Sequence, residues 1–130
     1  MATAVRVPTA TWVGIEIATV SGKKVAYPML DPVPVSRSAQ QEVIWYCTDP
    51  TADITIEFPK GSPFIKTGPY RVMGEDSVSS GHVKPGADVC LECPARPKPG
   101  EKHVKGHYKY RIVDTKTQEV LADPEVIIRN

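Results

Sequence analysis

Charge of one sign is scarce in this chain: 16 Lys and Arg stand against 15 Asp and Glu, a formal net charge of +1. Without a strong field, neither nucleic acid nor an anionic membrane is expected as the main partner. Long apolar runs are missing too. No stretch approaches the ~20 apolar residues of a membrane-spanning helix. Behind Met1, the segment Ala2-Thr-Ala-Val-Arg-Val7 has no basic stretch leading into an apolar run of signal-peptide length. Cysteine is sparse and odd in number, at three. In a monomer at least one thiol stays unpaired, which points to a reducing compartment, and a cytoplasmic location is the expectation. The chain has no Gly-rich phosphate loop, no G-x-S-x-G elbow and no H-E-x-x-H helix. No window shows a 3.6-residue apolar period with helix caps.

What is present is strand and turn. Thirteen prolines and nine glycines are spread between apolar runs. A length of 130 residues fits one domain, residues 1–130, large enough for a core of its own. Trp12–Val20 alternates, with Val13, Ile15 and Ile17 on one face and Glu16 on the other. Ser21-Gly22-Lys23-Lys24 turns it back into a short strand at Val25–Tyr27, and Pro32 and Pro34 confine Asp31–Val35 to an edge. The polar stretch Gly74–Gly81 reads as a loop, and Ala87–Cys93 as a strand with Val89, Leu91 and Cys93 on one face. Phe64 and Ile65 offer an apolar plug. Gly106–Asp114 alternates Tyr108, Tyr110 and Ile112 against His107, Lys109 and Arg111, and Glu125–Arg129 closes the chain. Such short strands spaced by turns predict an all-β fold, an antiparallel Greek-key β-sandwich.

The centre of this pattern is Glu42–Phe58. Val43–Cys47 is apolar on both faces, as in a strand covered on two sides. Asp49-Pro50 breaks it, and Ile54, Ile56 and Phe58 then alternate with Asp53, Thr55 and Glu57. The two runs read as a hairpin. The pieces Val43-Ile-Trp45-Tyr-Cys47-Thr-Asp49, Ile54-Thr-Ile-Glu-Phe58 and Gly106-His-Tyr108-Lys-Tyr110 resemble the cupredoxin-like sandwiches, relatives in shape of the immunoglobulin-like ones. That family carries V-x-W-x-N-x-D, then a copper-binding His, and later G-x-Y-x-Y-x-C with the copper thiolate and a second His. The resemblance spans roughly residues 30–114 and implies the sandwich but not the metal. Cys47 replaces the Asn, Asp53 stands at the first His, Ile112 at the Cys, and no His follows Ile112. Two imidazoles and a thiolate cannot be assembled, so a copper-free chain is expected.

Cys90-x2-Cys93 followed by His103-x3-His107 has the residue types of a tetrahedral zinc site. Against it, residues three apart on a strand point to opposite faces. The plainer reading makes Cys93 a small core residue, Cys90 an edge thiol and the histidines loop groups. A redox Cys-x-x-Cys pair normally uses a helix N-terminus to stabilise its thiolate, and none is predicted here. Cys47, beside Trp45, reads as buried, with His82 the only base free to approach it. Asp53, Thr55 and Glu57 read as a solvated strand face. No catalytic residue, cofactor or metal ligand set is assigned on this reading. The expectation is a small non-catalytic binding or assembly module, with a zinc protein using Cys90, Cys93, His103 and His107 as the alternative. Its partner would be protein, self or other, with homo-oligomers forming through sheet edges. The segments Gly61–Tyr70, Gly74–Lys84 and Pro94–Lys105 are the loops expected to carry function.

Overall fold

A computed structural model describes residues 9–91 and 104–130. Among them the chain is all-β. The strands are β1 (Ala10–Val20), β2 (Lys23–Pro28), β3 (Val33–Ser36), β4 (Glu42–Cys47), β5 (Asp53–Glu57) and β6 (Tyr70–Met73), then β7 (Ser77–His82), β8 (His107–Lys109), β9 (Arg111–Asp114), β10 (Val120–Ala122) and β11 (Glu125–Arg129). They form three sheets, ordered β2-β1-β4-β7, β10-β9-β5-β6 and β3-β11-β8. Most pairings are antiparallel; β1 with β4 and β3 with β11 are parallel. The β1–β2 hairpin turns at Ser21 and Gly22, both at positive φ, as the turn residues led one to expect. β3 is an edge strand, and its Pro34 sits opposite Ile127.

The central segment is not a hairpin. β4 pairs with β1 and β7, whereas β5 pairs with β6 and β9 in a different sheet. The Asp49-Pro50 break carries the chain across the core: Asp49 Oδ1 accepts from Thr51 N at 2.9 Å and from Thr51 Oγ1 at 2.8 Å. Such a tight Asx turn does not constrain the two strands to share a ladder. Inward residues of the two strands then join one core: Val43, Trp45 and Cys47 from β4, Ile54 and Ile56 from β5. Ile44 and Tyr46 are only half-buried, so β4 is not covered on both sides as its composition suggested.

Three further expectations fail. Gly74–Gly81 is a turn followed by the edge strand β7, not a loop. Its polar residues face a sheet edge and a bulge, where Ser80 Oγ accepts from Val43 N at 2.9 Å. Residues 87–91 are not a strand: Ala87, Val89 and Cys90 are buried, while Leu91 is 86% exposed. Gly106–Asp114 is split at Tyr110, whose N donates to Pro124 O at 3.0 Å. β8 therefore joins β11, and β9 joins β5. The inward alternation of Tyr110 and Ile112 survives the change of sheet, and both are fully buried.

The core centres on Trp45, whose ring lies 5.4 Å from Tyr70, 5.6 Å from Tyr110, 6.3 Å from Phe58 and 6.4 Å from Phe64. Of the expected apolar plug, Phe64 is buried and Ile65 exposed. Trp45 Nε1 and Tyr110 OH are buried without a hydrogen bond of normal geometry. Burial pushes the Tyr110 phenol far above its ordinary range, with the Trp45 indole N–H beside it pulling the other way.

Candidate functional site

The cluster richest in chemistry lies where residues 87–90 cross β8 and β11. Cys90 N donates to Ile128 O at 2.8 Å, Asp88 N to Tyr108 OH at 3.0 Å, and Arg37 Nη1 to Ala87 O at 2.8 Å. Gly106, at φ +85°, permits this close approach: a Cβ there would stand 2.2 Å from Cys90 N and 2.6 Å from Val89 C. Docking places Cys90 Sγ 3.5 Å from His107 Nε2. On the other side of the ring, His107 Nδ1 is 3.4 Å from Glu125 Oε2. Cys90 is disulfide-bonded, and Cys47 is a free, buried cysteine.

The structure therefore brings together two of the four residues of the zinc-like spacing, Cys90 and His107. Cys93 and His103 lie outside the described residues, as does most of the Pro94–Lys105 segment. Two plainer expectations are corrected. Cys90 is not an edge thiol but a buried half-cystine, because Gly106 lets its backbone sink onto β8. His107 is not a loop group; it sits on β8 opposite Ile127. The argument from an odd cysteine count to a reducing compartment also loses its footing, since Cys47, a free cysteine, is enclosed by core. Only the β8–β11 register brings Glu125 to the imidazole, so its place is not legible along the chain.

The remaining candidates are accounted for locally. Burial pushes the Cys47 thiol up, away from nucleophile character. His82 pairs with Glu42, at the opposite end of β4 from Cys47. Asp49, Asp53, Asp114 and Lys24 line a small cleft of about 60 Å³. Lys24 Nζ meets Asp114 Oδ2 at 3.0 Å, Arg71 binds Asp53 through two contacts of 2.9 and 2.7 Å, and Asp49 accepts from Thr51. The Arg71 hydrogen bonds hold the Asp53 carboxyl down at about 2. Glu57 lies 4.0 Å from Arg111, and Thr55 Oγ1 shares a 2.8 Å hydrogen bond with Thr115. This face of β5 is a cross-strand pairing surface. Among the described residues no group of three or more His, Cys, Asp or Glu is arranged to hold a metal ion. Asp53 is tied to Arg71 and Ile112 is packed in the core.

A different kind of surface covers the outer face of β1 and β4. Trp12, Gly14 and Glu16 point away from the core, as do Ile44 and Tyr46, with Gly14 beside Tyr46 in the parallel register. Met29 N donates to Gly14 O at 2.7 Å, so Met29 flanks Gly14 from the β2 side. The Tyr46 hydroxyl reaches Met29 Sδ at 3.9 Å over the bare glycine, and Trp12 meets Tyr46 edge-on at 6.0 Å. Tyr27 continues the face opposite Glu16. Trp12 is 58% exposed and Met29 65%. The sequence carries this signal, since Trp12 falls on the face opposite Val13 and Ile15.

The chain matches no protein-family model and no curated protein sequence. Among the described residues no helix is long and apolar enough to cross a membrane.

Proposed function

We propose that this chain is a small, copper-free, non-catalytic binding or assembly module on a Greek-key sandwich of cupredoxin-like or immunoglobulin-like type. The sheet orders support that fold type: a four-stranded layer with a parallel β1–β4 pair shares one core with the strands of the other two sheets. The observation that carries the function is the apolar outer face built by Trp12, Tyr46, Met29 and Tyr27. Exposed aromatic and methionine side chains gathered on one sheet face are what protein contacts use as anchors. The partner is protein, and a second copy of the chain is the simplest one. Three of the sheet edges offer less than this face. β2 presents Lys23 and Lys24, β3 carries Pro34, and β10 is only three residues long.

Sedimentation from micromolar to millimolar concentration tests this reading. The native chain should form a defined oligomer, and Trp12→Ser with Met29→Ser should weaken it by roughly 30-fold or more, the loss of one strong anchor. A strictly monomeric native chain throughout that range would overturn self-association. The zinc alternative needs Cys90 reduced, because a half-cystine sulfur offers no thiolate. It predicts close to one equivalent of zinc after purification under reducing conditions, with loss of stability on chelation. Less than about a tenth of an equivalent removes it.

A further inference from the structure

We propose that the outer face of β1, β2 and β4 takes an arginine side chain of a partner protein, its guanidinium on Glu16 and its stem along Tyr27 and the Tyr46–Met29 pair. This rests on the binding-module reading and names the chemistry of the partner's contact residue. Gly14, Glu16 and Ala18 occupy successive outward positions of β1, and Tyr27 and Val25 of β2 stand opposite Glu16 and Ala18. Tyr46 and Met29 close over Gly14: a Cβ there would lie 2.8 Å from the Tyr46 hydroxyl oxygen and 2.6 Å from Met29 Sδ. Glu16 stands one outward position further, about 7 Å along the strand. It is exposed at the foot of this ridge, with Tyr27, 48% exposed, at its side. Among the described residues Glu16 makes no ion pair, whereas Asp53, Asp114 and Glu57 meet Arg71, Lys24 and Arg111.

Charge complementarity selects the occupant. A purely apolar partner laid on Trp12, Tyr46 and Met29 would strip water from the Glu16 carboxylate, and an unpaired charge taken out of water offsets much of what the apolar contacts return. Neither lysine of β2 relieves this. Lys24 points inward to Asp114, and Lys23, opposite Val20, lies four residues along β1 from Glu16. That is about 13 Å, beyond the Debye length of about 8 Å at physiological salt. Arginine suits the site better than lysine because its planar guanidinium pairs both oxygens of a carboxylate, stacks on aromatic faces and sheds water more readily. Its aliphatic stem matches the tyrosine and methionine surface. Trp12, one outward position before Gly14 and edge-on to Tyr46, is left to contact apolar neighbours of that arginine.

The test is an NMR titration of the full chain with acetyl-Leu-Arg-Leu-amide, and with the same peptide carrying citrulline, an uncharged near-isostere, in place of arginine. The arginine peptide should give saturable shifts at the Trp12 indole N–H, the Met29 methyl and the Tyr27 and Tyr46 rings. The citrulline peptide should bind about fivefold more weakly, Glu16→Gln should weaken the arginine peptide by a similar factor, and Tyr27→Ser should do so about threefold. Glu42→Gln is the charge control: it removes an acid from the same face, at the start of β4 beside Ala10 and beyond Trp12. It should leave the affinity within about twofold. Absence of saturable binding, or equal binding of the two peptides, would overturn the assignment. So would native affinity in Glu16→Gln, or equal losses in Glu16→Gln and Glu42→Gln, the mark of a diffuse field. An oligomer that forms through Trp12 and Met29 while the arginine peptide leaves the face untouched would keep the module reading, with a second copy as occupant, and remove only this inference.

Discussion

Gly106→Ala should cost far more than its chemistry suggests. Two terms act. At φ +85° an L-residue carries left-handed strain, about 1–2 kcal/mol. In addition the new Cβ would lie 2.2 Å from Cys90 N and 2.6 Å from Val89 C. Both are backbone atoms, which cannot swing aside as a side-chain end can. Residues 87–90 must lift from β8, weakening the Cys90 N hydrogen bond to Ile128 O and exposing part of Val89, a further loss of about 2–3 kcal/mol. Gly22→Ala isolates the first term, because Gly22 has φ +79° and open space around its missing Cβ. Urea unfolding of both variants beside the native chain gives the comparison. Gly22→Ala should lose about 1 kcal/mol and Gly106→Ala about 4 kcal/mol. Equal losses would mean that the segment does not press on β8, and the placement of Cys90 beside His107 would fall with it.

Tyr110→Phe removes a buried hydroxyl with no well-formed hydrogen bond, so it should be neutral or stabilise by up to about 1 kcal/mol in the same unfolding assay. Ser80→Ala is the opposite case: it strips the acceptor from Val43 N in the β4–β7 bulge, and a loss of about 1–3 kcal/mol is expected. The Asp53 carboxyl should titrate at about 2 by NMR, below its ordinary 3.8, and Arg71→Ala should raise it toward that value. Because the folded value is the depressed one, Asp53 supports the fold above its ordinary pKa, and this support fades as pH falls from 3.8 toward 2. Asp114 works in the same direction. Burial raises its pKa, but the Lys24 ammonium and the backbone N–H groups of Thr117 and Lys116 outweigh that and lower it. A titration midpoint for Asp53 near 3.8 in the native chain would contradict the Arg71 bridge.

Alternation carried most of the fold. Val13, Ile15, Ile54, Ile56, Tyr110 and Ile112 lie inside as their period requires, and β1, β2, β5 and β11 occur where apolar runs and turns place them. Pairing was the weaker inference. A break of the Asp49-Pro50 kind is compatible both with a return along the same sheet and with a crossing to the opposite one. Both outcomes bury the same inward residues, so hydrophobic patterning cannot separate them. β7 is not legible in the sequence because Ser77–His82 contains little that prefers strand; its ladder with β4 and the Ser80 contact to Val43 N hold it there. Leu91 misled for the opposite reason. Its alternation with Val89 is real in the sequence, but the backbone of residues 87–90 is committed to β8 and β11 through single hydrogen bonds, and Leu91 is turned outward.

The same distinction explains the candidate site. The spacing Cys90-x2-Cys93…His103-x3-His107 singled out two residues that do meet, but as a half-cystine and its imidazole neighbour. Sequence spacing reports which groups are near along the chain; it carries nothing of Glu125, which arrives from 18 positions beyond His107 through the β8–β11 register. Nor does it show Gly106, whose missing side chain lets Cys90 approach the imidazole. The absence of a helix N-terminus argued against thiol chemistry at Cys90. That argument holds along the chain; the imidazole and carboxylate beside Cys90 come from strands that the sequence presents far apart.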